Sequence, residues 1–288
     1  MTDPLPEDLC DQVARALRED IGSGDVTAAL IPAATRGRAR LLCREQAIVC
    51  GIPWIDETFR QLDPGVQIRW SVSEGGPVAA NTHLCEITGP ARSMLTGERT
   101  ALNFLQLLSG TATSTRRYVQ AVAGTGCRIL DTRKTIPGLR LAQKYAVRCG
   151  GGENHRMGLY DRVLIKENHI TAAGSITAAV TTARSHAPGL LVEVETETLD
   201  ELREALDARA DVVMLDEFDL TSMREAVAIN RAHTHRALLE SSGGVTLDGL
   251  RQIALTGVDF ISVGSLTKHV VAIDLSLRFE FEPRDAHR

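Results

Sequence analysis

The polar and apolar positions of the chain change their rhythm near residue 126. Before that point, an amphipathic helical stretch over residues 7–19 precedes strand-like runs that Gly and Pro interrupt: "RARLLCREQAIVCG", "VQIRWSVSEG" and "HLCEITGP". This pattern predicts a small α+β domain over residues 1–105. A helical stretch near residues 90–125, with a break near Gly110, predicts the connection to a second domain over residues 106–288.

After residue 126, six apolar runs alternate with helical stretches. The runs are "CRILD", "RVLIK", "LLVEVE", "DVVMLD", "ALLESS" and "DFISVG". Their spacing, roughly 20–35 residues, suits a strand, a helix and two loops. Alternation of this kind predicts consecutive βα units and a parallel sheet.

The length of this second part limits the architecture. Residues 127–281 fall well short of the roughly 250 residues typical of an eight-unit barrel. The chain is therefore predicted to be an α/β protein with an incomplete barrel of six or seven strands. We expect the N-terminal domain or a partner subunit to cover the gap or mouth of the barrel, and the C-terminal strand is a candidate to return to the N-terminal domain.

Each apolar run ends on a polar residue or a glycine. These residues are Asp131, Lys166, Glu195, Asp216, Ser241 with Ser242, and Gly264. Parallel α/β folds place their chemistry at the carboxyl ends of the strands, where such residues share one surface. The sequence therefore predicts a functional site along this edge of the sheet.

The composition and net charge argue against nucleic acids and membranes as binding partners. The chain has 288 residues, is 43% hydrophobic and carries a net charge of -5, so no global field attracts nucleic acid or an anionic membrane. It has no apolar run of about 18 residues and no basic, apolar leader at its start. We expect a cytoplasmic protein without nucleic-acid or membrane partners. Its six scattered cysteines are expected to be reduced thiols.

Positive charge is concentrated in one segment. Residues 131–169 contain eight Lys/Arg against four Asp/Glu, a local +4, so by subtraction from -5 the rest of the chain carries -9. Three parts of the segment supply candidate ligands for an anion: Thr132, Arg133 and Lys134 in "DTRKTIPG", His155 and Arg156 in "GGGENHR", and Lys166 in "LIKENH". The arginine fork suits carboxylates and lysine acts as a point charge for phosphate, so we predict a site for a small polyanion.

The helix inside this segment carries a different pattern. Arg140, Lys144 and Arg148 recur at i, i+4 and i+8. We interpret them as a solvated or subunit-facing stripe rather than as part of the site.

Oxygen ligands and small residues follow the later strands. Glu195 and Asp216 are candidates to hold Mg²⁺ or ribose hydroxyls; the alternative is that they cap the helices that follow. "ESSGGV" and "SVGSLT" open into helix N-termini, which commonly bind phosphate, and so predict a 5′-phosphate site. No dinucleotide or P-loop glycine pattern is present in the sequence.

Several long motifs, taken in order, resemble those of the quinolinate phosphoribosyltransferase family. They are "LREDIGSGDVT", "GERTALNFLQLLSGTAT", "LDTRKTIPGLR", "QKYAVRCGGGENHRMGLYDRVLIKENHI", "EVE", "MLDEF", "ESSGGV" and "GVDFISVGSLT". The resemblance spans nearly the whole chain. It implies an N-terminal α+β sandwich domain, an incomplete α/β barrel, and Mg²⁺-dependent conversion of quinolinate and phosphoribosyl pyrophosphate to nicotinate mononucleotide, pyrophosphate and CO2.

The resemblance also implies residue roles. Arg133, Arg156 and Lys166, helped by Thr132 and His155, would hold quinolinate, and Lys134 would meet the pyrophosphate. Glu195 and Asp216 would serve ribose and metal, and the phosphate would lie on Ser242, Gly243, Gly244, Gly264 and Ser265. Arg99 would enter from the neighbouring subunit of a homodimer, or of a larger assembly. Lys268 departs from the family pattern, which leaves the outer contacts of the phosphate loop open.

Two other functions remain as alternatives. Lys166, at a strand end, could be the nucleophile of a Schiff-base lyase. A related phosphoribosyltransferase-like enzyme of altered substrate, or a non-catalytic phosphate-sugar binder, would share most of these motifs. The combination of Arg133, Arg156 and Lys166 with two carboxylates favours the quinolinate reaction.

Overall fold

The computed structural model describes residues 4–281. Its α-helices are α1 (Leu9–Ile21), α2 (Ile52–Leu62), α3 (Ala91–Ala121), α4 (Arg140–Cys149), α5 (Glu167–Ala173), α6 (Ile176–His186), α7 (Leu199–Asp207), α8 (Leu220–Ala232), α9 (Leu250–Ala254) and α10 (Ser265–Lys268). A 3-10 turn covers Ala28–Leu30. None of the helices in this part of the chain combines the length and the hydropathy needed to cross a bilayer.

The strands occur in two groups along the chain. They are β1 (Arg36–Cys43), β2 (Ala47–Ile48), β3 (Gln67–Trp70), β4 (Pro77–Val78), β5 (Thr82–Pro90), β6 (Arg128–Leu130), β7 (Val163–Ile165), β8 (Val192–Thr196), β9 (Val212–Asp216), β10 (Leu238–Ser242), β11 (Phe260–Ser262) and β12 (Leu275–Phe281). Strands β6–β11 correspond to the six strands predicted after residue 126.

The chain forms two compact units. Among the described residues, the first contains residues 4–114, 136–151 and 269–281; the second contains residues 115–135 and 152–268. The predicted division at residues 105 and 106 allows for a return of the C-terminal strand to the first unit, but it does not include the return of residues 136–151.

The first unit is built on a four-stranded antiparallel sheet with the order β12-β1-β5-β3. Exposed and buried residues alternate along β1, as expected for a strand with one face on the core. Its inward residues, such as Leu41, pack with Phe59 of α2 and Leu105 of α3. The C-terminal strand β12 pairs with β1, so it lies in the sheet of this unit.

The second unit is built on a six-stranded parallel sheet with the order β6-β11-β10-β9-β8-β7. Its strands are nearly continuous apolar runs, as parallel strands covered on both faces require; Val213 and Leu215 of β9, for example, are fully buried. Strands β6 and β7 are the two edges, and no ladder within residues 4–281 joins them. An isolated parallel bridge adds Glu153 beside Leu130 of β6.

Capping residues set the start of the helices that follow β8 and β9. Thr198 caps α7 and accepts the backbone N–H of Glu201, whose side chain returns the bond in a capping box. Asp219 caps α8 by accepting the N–H of Ser222. The caps lie beyond the strand ends, which leaves the strand-end side chains available for other contacts.

The predicted break near Gly110 is wrong. Helix α3 runs without interruption through Gly110, whose missing side chain leaves room for the carbonyl of Val271; an added Cβ would lie 2.3 Å from that oxygen. Helix α4 begins at Arg140, and Pro137 lies in the turn before it.

The Gly110 contact generates a stability prediction. In an exposed helix, Gly→Ala stabilises by about 1 kcal/mol, but Gly110→Ala should destabilise the protein by about 1–3 kcal/mol because the methyl group overlaps a backbone carbonyl. Urea unfolding of both proteins measures the change. Gly249→Ala, at the N-cap of α9, is a control for the steric overlap alone, since its Cβ would meet no atom within 4 Å; the loss of a favourable N-cap residue should cost it no more than about 1 kcal/mol. Equal or higher stability of Gly110→Ala would contradict the proposed close contact.

Candidate functional site

The loop that carries His155 and Arg156 is attached to β6 by Asp131. The buried Asp131 carboxylate accepts the backbone N–H of His155 at 2.9 Å and the side-chain amide of Asn154 at 2.6 Å. The backbone N–H of Asp131 also donates to the carbonyl of Glu153 at 3.2 Å. The first strand end therefore sets the position of the glycine-rich loop that follows α4.

The imidazole of His155 is buried and oriented from both sides. Its Nδ1 accepts the backbone N–H of Arg156 at 2.7 Å, which assigns the proton of the neutral ring to Nε2. Nε2 lies 3.0 Å from Oε2 of Glu193 and 3.5 Å from Oε2 of Glu240. The ring is thus fixed between a loop and two strands.

Glu193 and Glu240 form a buried carboxyl pair beneath this ring. Burial alone raises the pKa of Glu193, but the close approach of His155 and the charge of Arg162, whose guanidinium lies 3.3 Å away, outweigh it and lower the pKa below its usual value. Burial and the charge of Glu193 hold the pKa of Glu240 well above its usual range. The two shifts run in opposite directions, so Glu193 is the member of the pair that favours the charged form, and Glu240 favours the protonated form.

Three guanidinium groups gather around this charge. Burial lowers the pKa of Arg156, and the positive charges of Arg133 and Arg162 lower it further, while Glu193 and Asp161 act in the opposite direction. The Nε of Arg133 is buried and has no hydrogen-bond partner among the described residues. These groups can bind an anion that carries more than one carboxylate, because such a ligand supplies the acceptor oxygens that the cluster lacks.

Lys166 lies at the adjacent strand end and is paired. It directly follows β7, and its ammonium group forms an ion pair with Oε2 of Glu195 in β8. Its backbone N–H donates to Nδ1 of His169 at 3.0 Å, so His169 has a local structural role. A Schiff-base nucleophile must present a free amine, and this salt bridge disfavours the lyase alternative.

The carboxylates of Glu195 and Asp216 do not cap helices. Thr198 and Asp219 cap α7 and α8, so the capping interpretation is wrong for both residues. Glu195 lies in β8 and Asp216 ends the neighbouring β9. Two oxygen ligands are thus available at adjacent strand ends.

The first predicted phosphate-binding segment, residues 242–244, begins beside Asp216. Ser242 of β10 is the register partner of Asp216, and its carbonyl accepts the N–H of Glu217 at 3.2 Å. Gly243 has φ +92°, and a Cβ there would lie 2.7 Å from the side chain of Glu217. Only glycine fits this close turn, which Gly244 continues at φ +52°.

The second predicted phosphate-binding segment, residues 264–265, lies against the loop that carries Thr132 and Lys134. A Cβ on Gly264 would lie 3.0 Å from Cδ of Lys134 and 3.4 Å from Oγ1 of Thr132. The hydroxyl of Thr267 donates to the carbonyl of Lys134 at 2.9 Å, and Ser265 begins α10 in the same segment. The structure therefore brings Thr132 and Lys134 against the small residues after β11.

Two predicted cationic features lie in the first unit. Arg99 is exposed on α3. The stripe on α4 is predicted to be solvated or to face a subunit, but its central residue, Lys144, is fully buried within the chain, and Arg148 donates to the carbonyl of Pro4 at 3.0 Å. Residues 142–147 of α4 are all buried, so this helix packs inside the first unit.

The sequence interpretation missed three contributors to the site: Glu193, Glu240 and Arg162. The available signal was a glutamate inside an apolar run, in "LLVEVE" and "ALLESS". A buried carboxyl group requires a partner, so each of these glutamates indicated a nearby donor or cation.

Comparison with known proteins covers both units. Residues 25–109 match the model described as "Quinolinate phosphoribosyl transferase, N-terminal domain", and residues 111–278 match the corresponding C-terminal domain. A Synechocystis protein named "Probable nicotinate-nucleotide pyrophosphorylase (carboxylating)" is 45% identical over 91% of this chain and 89% of its own. The nicotinate-nucleotide pyrophosphorylase (carboxylating) of Mycobacterium leprae is 41% identical over 93% and 95%.

A solved structure shows the same fold. The nicotinate-nucleotide pyrophosphorylase from Francisella tularensis superposes with a TM-score of 0.93 and 49% sequence identity, over 97% of this chain and 99% of that chain.

The carboxyl pair generates a prediction with a pH signature. Because the pKa of Glu240 is raised in the folded protein, unfolding releases its proton, and stability is lost as pH rises above the unfolded value of 4.5. Glu240→Gln should therefore raise the free energy of unfolding on the order of 1–2 kcal/mol at neutral pH, and the gain should vanish below the unfolded pKa. Urea unfolding across pH measures it.

Glu193→Gln is the contrasting variant. It removes the charged partner of His155 and Arg162, so it should lower stability at neutral pH. If both glutamine variants changed stability equally and in the same direction, the assignment of the charge to Glu193 would be wrong.

Proposed function

Because the chain belongs to the quinolinate phosphoribosyltransferase family, we propose that it catalyses the decarboxylating transfer that makes nicotinate mononucleotide. The phosphoribosyl group of phosphoribosyl pyrophosphate passes to quinolinate, and pyrophosphate and CO2 leave, as a step of de novo NAD biosynthesis. The observation that carries the proposal is the guanidinium cluster around the His155 and Glu193 pair, at the carboxyl edge of a parallel sheet.

Quinolinate is a dicarboxylate, and the site offers cations for both of its carboxylates. Arg133 and Arg156 each present a planar fork, and Lys166 adds a point charge at the next strand end. Thr132 and the buried His155 complete the set. Arg162 forms an ion pair with Glu193 and contributes to the cluster through that carboxylate.

This arrangement explains discrimination between pyridine acids. Nicotinate lacks one of the two carboxylates of quinolinate, so its binding would leave at least one half-buried cation without an acceptor. A site built to bind a charged group rejects a ligand that lacks it, because the buried partner stays unpaired. Specificity is therefore a property of the cluster rather than of a single residue.

Glu195 and Asp216 supply oxygen ligands of the kind that Mg²⁺ prefers, and their adjacent strand ends fit a metal that is shared with substrate oxygens. When bound there, Mg²⁺ would stabilise the negative charge of the pyrophosphate. Glu195 is paired with Lys166 in this structure, so substrate binding must exchange that partner: Lys166 turns to a quinolinate carboxylate, and Glu195 turns to the ribose or metal.

The small residues after β10 and β11 bind the 5′-phosphate in this proposal. Ser242, Gly243 and Gly244 present backbone N–H groups on one loop, and Gly264 and Ser265 do so on the next. Lys134 lies against Gly264 and extends toward the departing pyrophosphate. Lys268 is exposed one turn further on and lies outside these loops.

The chemistry follows from this placement of charges. The bond from C1′ to the pyrophosphate oxygen breaks with its electron pair, while the quinolinate nitrogen donates the pair that forms the new C1′–N bond. Lys134 stabilises the charge that develops on the leaving oxygen. The adjacent carboxylate then leaves as CO2, its electron pair stays on the ring carbon beside the positive nitrogen, and a proton replaces it.

The proposal includes the finer architecture. The order of the six parallel strands, with β6 and β7 as edges, supports an incomplete barrel, and the antiparallel sheet with its helices supports an N-terminal sandwich. We also propose at least a homodimer in which the exposed Arg99 of each chain enters the site of the other.

A direct assay tests the proposed activity. The purified protein is incubated with quinolinate, phosphoribosyl pyrophosphate and Mg²⁺, and nicotinate mononucleotide and CO2 are measured. Equal molar formation of the two products, and loss of both on chelation of Mg²⁺, is the expected result. If neither product forms with folded protein, or if a borohydride-trapped adduct at Lys166 forms instead, the proposal fails.

The roles of the strand-end carboxylates predict a separation of binding from catalysis. Asp216→Asn should lower kcat by at least about tenfold, because the side chain serves Mg²⁺ and ribose, while the Kd of quinolinate alone stays within about twofold of wild type. Glu195→Ala should also lower kcat, and it removes the ion-pair partner of Lys166. Asp219→Asn is the matched control, since asparagine caps helices as well as aspartate does. Full activity of Asp216→Asn would remove it from the site.

The shared site predicts complementation between two inactive variants. When Arg99→Ala and Lys134→Ala exchange subunits at random, half of the dimers are mixed, and each mixed dimer has one site with both lesions and one with neither. Activity should therefore recover to roughly a quarter of wild type. Absence of recovery, with exchange confirmed by pull-down of a tagged subunit, would place Arg99 in its own chain's site or outside any site.

A further inference from the structure

A second cluster of reactive side chains lies in the first unit. Cys50 follows β2, Glu74 lies in the turn before β4, and Cys149 is the last residue of α4. The two sulfur atoms and a carboxylate oxygen of Glu74 all lie within 4.8 Å of one another. None of these residues has a role in the proposed reaction.

The backbone around the cluster is held in place before any ligand binds. The N–H of Cys50 donates to Oγ of Ser109 at 2.9 Å, and that hydroxyl donates to the carbonyl of Cys50 at 3.0 Å. The Glu74 carboxylate accepts the N–H groups of Gly51 at 2.8 Å and Ile52 at 3.0 Å, at the start of α2. The carboxylate also accepts hydrogen bonds from the Cys50 thiol and the Tyr145 hydroxyl, so a metal ion bound there would take the place of the Cys50 thiol proton.

We propose that Cys50, Glu74 and Cys149 form a binding site for one thiophilic divalent transition-metal ion of the Zn²⁺ class. Two thiolates, one carboxylate and a water complete a tetrahedral set. Ligands at about 2.0–2.3 Å from such an ion lie about 3.3–3.8 Å from each other, so the ligand atoms, which lie within 4.8 Å of one another, would have to approach by at most about 1–1.5 Å. Cys149 and Glu74 are half-buried rather than fully enclosed.

The geometry favours a cation site over a pair of unrelated thiols. Cys50 and Cys149 are free cysteines rather than a disulfide, and the carboxylate of Glu74 adds a third donor atom to the two sulfur atoms. A divalent ion binds deprotonated thiols and releases their protons as it binds.

The test uses Co²⁺ as a spectroscopic probe of the reduced, chelator-treated full-length protein. Tetrahedral thiolate ligation should produce sulfur-to-cobalt charge-transfer bands and intense d–d bands that saturate at one Co²⁺ per chain and disappear when Zn²⁺ is added. The proposed Mg²⁺ site contains no sulfur and cannot produce the charge-transfer bands. This result is independent of enzymatic activity, so it separates failure of the metal site from failure of the proposed function.

Variants identify the ligands. Cys50→Ser, Cys149→Ser and Glu74→Gln should each weaken Co²⁺ binding by more than about tenfold, since even partners outside a ligand set change metal affinity by about 10–100-fold. Cys43→Ser is the control for a buried cysteine and Cys10→Ser for an exposed one; both should keep the bands. Glu74→Gln keeps the fold testable if a cysteine variant is unstable. Unchanged bands in Cys50→Ser or Cys149→Ser, or no bands in wild type with its thiols reduced, would overturn the proposal.

Discussion

Cationic side chains that are held together repel one another, and the second unit meets this constraint with a buried carboxylate. At an effective dielectric constant of 20, two like charges 4 Å apart repel by about 4 kcal/mol. Glu193 offsets this repulsion because its carboxylate lies close to both His155 and Arg162. Burial and the charge of Glu193 raise the pKa of Glu240 beside it, so the second carboxyl group favours its protonated form. The cationic side chains of the cluster therefore remain available to an anionic ligand.

The sheet makes this arrangement possible because the acidic residues of the site and Lys166 lie at or near the ends of neighbouring strands. Glu193 and Glu195 of β8 share one face at the strand period of two. The first thereby lies beside the histidine, and the second forms an ion pair with Lys166. Asp131 attaches the glycine-rich loop to the first strand by accepting the backbone N–H of His155. The candidate anion site therefore depends on parallel strand register together with three acidic residues, Asp131, Glu193 and Glu195.

The sequence predicted the six parallel strands and the polar residues at their ends because both depend on local pattern: apolar runs of strand length and one polar residue after each. What it could not predict depends on contacts between distant segments. Gly110 resembles a helix break, but its function is to admit the carbonyl of Val271. Lys144 has the spacing of a surface stripe, yet its helix is buried in the first unit. The partnership of Lys166 with Glu195 joins residues 29 positions apart, which no local pattern encodes.

The central claim is that this cluster is built for two carboxylates on one ring, and calorimetric titration of the wild-type protein with quinolinate and with nicotinate tests it most directly. Leaving one buried cation unpaired costs on the order of 2–5 kcal/mol, so quinolinate should bind at least about 30-fold more tightly than nicotinate. Arg133→Ala or Arg156→Ala should remove most of this preference by weakening quinolinate binding. Equal affinities for the two acids in wild type, or quinolinate binding that neither substitution weakens, would contradict the account.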